Sequence, residues 1–358
     1  MHSTSRRRLR RTVASIAAAT FLTGTLAACG SDDSSESASG LDEVTLQLNW
    51  ITNSTWAGSY LAQENGYYEE AGLDVDIATG GPNVDFMAAL SSGQALMAFS
   101  GLTEPATLNQ DGGDYVVIGT MYQGSPLSFI SEAEDGITEP SDLEGKKVGI
   151  SATSQSVWEQ FSTAAGIDTS QVEVVPITTG PEALAAGDVD AYMGFITEGP
   201  ALLEAQGMDP EAFLLQDYGY GYYVDVYTVR REDLEDDEKR EQIKALLKAD
   251  LEGQLDMIND PEGAAQLTVD RYGQELGLEY DTELYTAESA AELFYSPTSE
   301  EEGIGYMAGD ELALSMDTLS TILGTEMPED GGDFIDMSLL DEIHEEDPDF
   351  GQLPPQDS

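Results

Sequence analysis

Residues Val44–Ile77 read VTLQLNWITNSTWAGSYLAQENGYYEEAGLDVDI, and this stretch decides the fold. Val44, Leu46 and Leu48 alternate with Thr45 and Gln47, the period of a half-buried strand. The polar turn Asn49-Trp50-Ile51-Thr52-Asn53-Ser54-Thr55 interrupts it, and a helix is expected from Trp56 to about Ala71. Gly72 stops that helix, and Leu73-Asp74-Val75-Asp76-Ile77 alternates again as a second strand. Strand, helix and strand make a β-α-β unit. Open α/β sheets hold ligands at strand carboxyl ends and helix N-termini, which puts the turn 49–55 on a binding edge.

Outward from this unit the rhythm continues. A helix over 84–92, a strand over 94–99, a helix around 106–109 and a strand over 115–122 follow. The chain then leaves through the extended segment 125–130. A second series starts at Lys147: strand 147–150, a hydroxyl-rich loop over 151–156, a helix with Val157, Trp158 and Phe161, strand 172–177, helix 181–186 and strand 189–195. Strands at 214–216 and 222–230 bracket an aromatic run, and Val224–Thr228 reads as a return crossing. Past Arg231 the pattern is helical, with Ile243, Leu246, Leu247, Leu251, Leu255 and Ile258 on one face and Pro261 opening the next helix. Two β-α-β series joined by two crossings describe an α/β protein of two lobes.

The 358 residues carry 14 basic and 69 acidic side chains, a formal charge of −55. Both nucleic acid and anionic lipid would repel such a body, so neither is expected as a direct partner. Arg6, Arg7, Arg8, Arg10 and Arg11 precede a short apolar run, Val13–Leu26, the pattern of a secretory signal. The run ends in Leu26-Ala27-Ala28-Cys29-Gly30, which resembles the bacterial lipobox; that resemblance implies cleavage before Cys29 and lipid on its thiol. Cys29 is the only cysteine in the chain. Residues 1–28 are therefore expected to be a signal peptide and 29–43 a lipidated Cys with a flexible Ser/Asp/Glu/Gly tether. Loss of 1–28 removes five Arg and leaves nine basic against 69 acidic residues, a charge of −60. The body would sit on the outer face of the cytoplasmic membrane.

Catalysis finds little footing. His2 and His344 are the only histidines, and the body after Cys29 has no thiol for nucleophilic or metal chemistry. A phosphate-binding Walker loop, a Gly-x-Ser-x-Gly elbow and calcium-loop spacing are all absent. No enzyme activity, metal or cofactor is expected.

Leu48-Asn49-Trp50, Ala57-Gly58, Leu61-Ala62 and Gly66-Tyr67-Tyr68-Glu69-Glu70-Ala71-Gly72-Leu73-Asp74-Val75 resemble the opening of substrate-binding lipoproteins of ABC importers. The branch is the one covering thiamine-precursor pyrimidines, nitrate, sulfonates and taurine. Asp142–Ile150 and Ser92-Gly93-Gln94 with Ala98-Phe99-Ser100 add to the likeness, which spans roughly 44–340. The resemblance implies a type II periplasmic-binding-protein fold, two lobes with two crossing strands and a central ligand cleft. On it, 44–128 with 228–343 form lobe I, 129–227 lobe II, and 344–358 an acidic tail. It also implies a solute-binding function, with a membrane permease as partner and a monomeric state. A thiamine-precursor pyrimidine or similar flat nitrogen heterocycle is the expected solute. A sulfonate, taurine, nitrate or riboflavin-like solute is the alternative, and a pyrimidine-synthesising enzyme or a surface sensor is a reading of another class. The pyrimidine branch carries a turn like Trp-x-Pro-Asn-x-x-His-x-Gly. This chain keeps Trp50, Asn53 and Gly58, but has Thr52 for the Pro and Trp56 for the His.

A flat polar solute needs aromatic faces and a few placed hydrogen-bonding groups. Trp50 and Trp56 are the candidate faces of the first unit; either could equally be core. Asn53 is a ligand contact or a helix cap. Ser100 and Glu104 lie in the next strand-end loop, and Tyr122 ends the strand over 115–122. Across the cleft, Ser154 opens a helix, and Glu198 follows a strand end where the pyrimidine branch resembles it with a Glu partner for the ring. Tyr220 and Tyr222 stand at the return crossing, where alternation lets only some tyrosines face the cleft.

Overall fold

The structure, a computed structural model, describes residues 40–355 apart from positions 82, 153 and 179. The signal segment and Cys29 lie outside the described residues.

The alternating segments pair into two sheets. Strands β1 (Asp42–Gln47), β2 (Leu73–Ala78), β3 (Met97–Ser100) and β4 (Tyr115–Thr120) belong to the first. The chain then crosses, and β5 (Leu127–Glu132), β6 (Lys147–Ser151), β7 (Glu173–Ile177), β8 (Ala191–Phe195) and β9 (Pro210–Leu214) make the second, before β10 (Val226–Arg230) returns. The orders are β2-β1-β3-β10-β4 and β7-β6-β8-β5-β9. In each sheet the strand arriving from a crossing is the antiparallel one: β10 between β3 and β4, β5 between β8 and β9. Val226 lies opposite both Ser100 and Thr120, so β10 begins on the edge where β3 and β4 end.

The helix expected over 56–71 is broken. A 3-10 turn at Ser54–Trp56 leads into α1 (Ala57–Glu64), and Gly66, at φ 82, separates it from α2 (Tyr67–Glu70). Then come α3 (Phe86–Ser91), α4 (Thr103–Gln110), α5 (Gln155–Ala164), α6 (Glu182–Ala185) and α7 (Gly199–Glu204). The expected strand at 214–216 lies earlier, as β9, and Gln216–Tyr218 is a 3-10 turn. The strand expected from Tyr222 starts only at Val226, because Asp225 turns the backbone to φ 54.

The helical half consists of α8 (Arg231–Leu234), α9 (Asp237–Asn259), α10 (Pro261–Leu267), α11 (Tyr280–Glu292), α12 (Pro297–Glu302), α13 (Gly309–Leu323) and α14 (Ser338–Glu346). α9 buries Ile243, Leu246, Leu247 and Leu251 in the first core. It meets α1 backbone to backbone: a Cβ on Gly253 would stand 2.1 Å from the Gly58 carbonyl oxygen. Asp250, fully buried on α9, accepts hydrogen bonds from Tyr68 and Tyr227 hydroxyls at 2.6 Å each and from Gln254 at 3.2 Å. Tyr67 donates to Asp256 at 2.6 Å. The Gly-Tyr-Tyr-Glu-Glu stretch thus docks α2 on α9. The second core gathers around Phe129, with Trp158, Phe161 and Phe213 rings 5.6–5.8 Å away. The acidic tail is packed as far as Pro354: Phe350 is buried, Ile304 N–H donates to the Gly351 carbonyl at 2.9 Å, and Tyr295 donates to the Pro354 carbonyl at 3.0 Å.

Candidate ligand site

On the first sheet's edge, β1, β3 and β4 end and β10 begins. The geometry therefore gathers Asn49, Glu104, Tyr122 and Asp225. Asp225 is half-buried and is the one non-glycine residue with positive φ among the described residues. Such backbone strain costs on the order of 1–3 kcal/mol and persists where the surroundings over-determine it. Here the Asp225 carbonyl accepts the Met121 N–H at 3.0 Å, and Asn49 Nδ2 donates to Asp225 Oδ1 at 2.7 Å. Burial pushes the Asp225 carboxyl up to about 6; the Asn49 bond opposes this and the Glu104 charge adds to it. Glu104 sits in the first turn of α4 and accepts from the Thr103 hydroxyl at 3.0 Å.

Asn49 is itself held by a neighbouring loop. Gly80 N–H donates to the Trp50 carbonyl at 2.9 Å, and a Cβ on Gly80 would lie 2.3 Å from the Asn49 carbonyl carbon. Only glycine lets the two loops approach this closely.

A second acidic pair joins the two sheets, because α7 packs on α11. Glu283 of α11 is 4% exposed and accepts the Ser54 N–H at 2.6 Å. Glu198 stands just before α7, half-buried, with no side-chain bond to the helix end. Burial raises both carboxyls, and for Glu198 the Glu283 charge raises it further. Around them lie the buried hydroxyls of Ser54, Tyr60 and Tyr122, with Ser54 beside Glu283. Tyr60 lies beside Thr52 and Glu283, Tyr122 beside Thr55 and Asp225.

No cation offsets these acids. Of the nine Lys and Arg after Cys29, seven are ion-paired elsewhere: Arg230 and Lys239 with Asp233, Arg231 with Asp114, Arg240 and Lys244 with Glu342, Lys248 with Glu252 and Arg271 with Glu64. Lys146 and Lys147 lie at the start of β6, opposite its ligand end.

The predicted residues part company here. Trp50 is half-buried on the first core's margin, and Glu104, Ser154, Glu198 and Tyr222 are all partly exposed. Trp56 is corrected: it is 1% exposed, its ring lies 5.0 Å from Phe99, and its Nε1 donates to the Ile51 carbonyl at 3.1 Å. Its size and single donor serve the core and the turn. Ser100 is fully buried and paired with the Thr228 hydroxyl at 2.7 Å. Tyr220 belongs to the second core. Asn53 caps the 3-10 turn, accepting the Thr55 N–H at 3.1 Å. Tyr122 is buried by its ring but keeps its hydroxyl beside Asp225. Ser154 bonds to Ser151, its hydroxyl accepting at 2.9 Å.

Sequence reading missed Asp225 and Glu283. The available signal for Asp225 was an acid between two valines at the return crossing. A separate cavity of about 580 Å³ lies against both crossings, lined by Gln123, Ser125, Gln216, Tyr222, Tyr285 and Glu311 among others. Its lining shares only Tyr222 with the predicted residues and includes neither Asp225 nor Glu198.

The model of the NMT1/THI5-like family matches residues 53–264. A formylaminopyrimidine-binding protein of Halalkalibacterium halodurans is 29% identical over 245 residues, covering 67% of this chain and 73% of that one. A 4-amino-5-hydroxymethyl-2-methylpyrimidine phosphate synthase of Legionella pneumophila is 26% identical over 155 residues, 43% of this chain and 49% of the synthase. Among solved structures, the periplasmic aliphatic sulphonate binding protein SsuA of Escherichia coli superposes with a TM-score of 0.60 at 16% identity, over 79% of this chain and 92% of SsuA. The fold is thus the two-lobed α/β fold of periplasmic binding proteins.

Proposed function

We propose, from the premise that the chain belongs to the NMT1/THI5-like family, that it is the extracytoplasmic solute-binding component of an ABC importer. It captures a flat nitrogen heterocycle of the thiamine-precursor pyrimidine kind and hands it to a membrane permease. The observation that carries the ligand class is the acidic, cation-free strand-end cluster, Asp225 with Glu104 and Glu198 with Glu283. An aminated ring supplies the N–H donors these acceptors need. Nitrate and sulfonates would meet carboxylates where they require cations or N–H groups. The name of the Halalkalibacterium relative points the same way.

A pyrimidine-forming enzyme is the second reading, because a synthase is among the relatives. It is disfavoured by the chemistry present. The body has a single histidine, and His344 packs edge-on between Tyr306 and Phe350. Among the described residues no group of His, Cys, Asp and Glu could hold a metal, and no helix is long and apolar enough to cross a membrane. On the lipobox-like Leu26–Gly30 stretch, attachment to the membrane is assigned to lipid on Cys29, with 1–28 removed and a monomeric body outside the cell; a Cys29→Ala protein should leave the detergent phase.

The test is a thermal-shift panel of aminopyrimidines, oxopyrimidines, sulfonates, taurine and nitrate, with isothermal titration of any that shift. An aminopyrimidine should raise Tm and remain chemically unchanged after incubation. A shift with sulfonate or nitrate alone would overturn the ligand class, and turnover would overturn the transport reading.

A further inference from the structure

We propose that Asp225 is the residue that selects an amino-substituted ring over its oxo counterpart, accepting hydrogen bonds from the ring's exocyclic amine and an adjacent protonated ring nitrogen. The inference rests on the solute-binding reading above and goes beyond the ligand class to the group that reads it. Three observations carry it. First, Asp225 stands at the start of the antiparallel crossing strand, on the edge where β3 and β4 end. Second, its backbone takes a strained positive-φ conformation, and its carbonyl accepts the Met121 N–H. Third, its hydrogen bonding is incomplete. Asn49 donates to Oδ1, and no described side chain donates to Oδ2. A carboxylate accepts about four hydrogen bonds, so most of its capacity is open.

The neighbours make the selectivity one-sided. The Glu104 charge and Asp225 repel each other, the Tyr122 hydroxyl lies within reach of the Asp225 charge, and none of the nine cations offsets it. An oxo ring would turn carbonyl lone pairs toward this acidic edge. An aminopyrimidine protonated on its ring nitrogen presents two parallel N–H groups, which match the two oxygens of one carboxylate. A site built around such acceptors rejects the analogue that lacks the donors.

The experiment is isothermal titration at pH 7.5 of 4-amino-5-hydroxymethyl-2-methylpyrimidine and its 4-oxo counterpart into the full mature chain, Asp225→Asn and Glu104→Gln. Asn is nearly isosteric and tolerates positive φ, and the melting temperature of each free protein reports folding. The parent should prefer the amino ring at least about tenfold. Asp225→Asn should weaken the amino ring about tenfold or more and bring the two rings within about threefold, while Glu104→Gln changes the preference less. Two results would overturn the proposal while leaving solute binding intact: a parent that binds both rings equally, or an Asp225→Asn protein that keeps the parent's preference. If the parent binds neither ring but takes a sulfonate or nitrate, the heterocycle reading falls and this inference falls with it.

Discussion

The two sheets bring unlike edges to one cleft. The first sheet's edge is fixed from several directions: Asn49 holds Asp225, Gly80 holds Asn49, and the Asp250 network ties β10 to α9 behind it. The second sheet's edge offers the Ser151–Ser154 hydroxyl pair, Glu198 with no side-chain bond to the helix it precedes, and Phe195, which is 46% exposed. One half is a preorganised acidic template, and the other is a looser polar and aromatic jaw. Preorganisation is what a recognising group needs, because ordering it on binding would subtract from affinity. The cost shows in Asp225, which carries both backbone strain and a raised carboxyl.

The strongest way to break the contrast is to remove what stiffens the template. Asp250→Ala strands the hydroxyls of Tyr68 and Tyr227, both fully or nearly fully buried. At roughly 1–3 kcal/mol for each unpaired group, a loss of about 4 kcal/mol is expected. Urea unfolding should show it, and ligand affinity should fall too because Tyr227 lies on β10. A protein that lost stability but kept full affinity would show that the template does not depend on α9.

Asp225→Asn should act in the opposite direction on stability. The folded carboxyl titrates near 6 against a reference of 3.8, so the fold favours its protonated form. Its contribution is complete below the reference value and is lost as pH rises through 6. At pH 8 the ionised group costs on the order of 2–3 kcal/mol, and Asn removes that cost. Melting temperature should rise at pH 8 and change little at pH 4. Glu104, Tyr122 and Asn49 face the same group, and none compensates it with positive charge. A stabler protein that binds worse separates a functional acid from a structural one.

The difference between the edges also explains what sequence could reveal. Alternation and helical spacing exposed both β-α-β series and both crossings, since these patterns are local. The ligand-edge rule then looked for site residues after strands, which pointed to Glu104 and Glu198. It missed Asp225 because β10 runs antiparallel, so its beginning rather than its end reaches the cleft. That direction depends on which sheet the strand joins, and spacing does not carry it. Trp56 misled for a related reason. An aromatic beside a ligand turn has the same local signal whether it faces the cleft or, as here, packs at a tilt against Phe99 in the core. Glu283 lies more than two hundred residues from Ser54, and only the fold brings its carboxylate to that N–H.

Gly80→Ala tests the template with a smaller change. The new Cβ must displace the Asn49 carbonyl, an overpacking expected to cost about 1–2 kcal/mol. Because the moved residue is the partner of Asp225, amino-ring affinity should drop about tenfold in titration calorimetry. Ser154→Ala on the other edge should change affinity by less than about threefold. Equal losses at the two positions would erase the distinction between template and jaw.

The smallest expected effect concerns where the two edges meet. Glu198 and Glu283 are both raised by burial, and the Glu283 charge raises Glu198 further. Each therefore contributes stability at low pH that fades as pH rises past its folded value. Glu198→Gln should raise melting temperature at pH 8 and not at pH 4, by less than Asp225→Asn does. The informative quantity is the double variant with Glu283→Gln. If the carboxyls face each other across the cleft in solution, relieving one already removes their repulsion, and the second substitution adds less than it does alone. Strict additivity would mean that the jaw stands away from the template in the free protein, leaving ligand binding to bring Glu198 to the acidic edge.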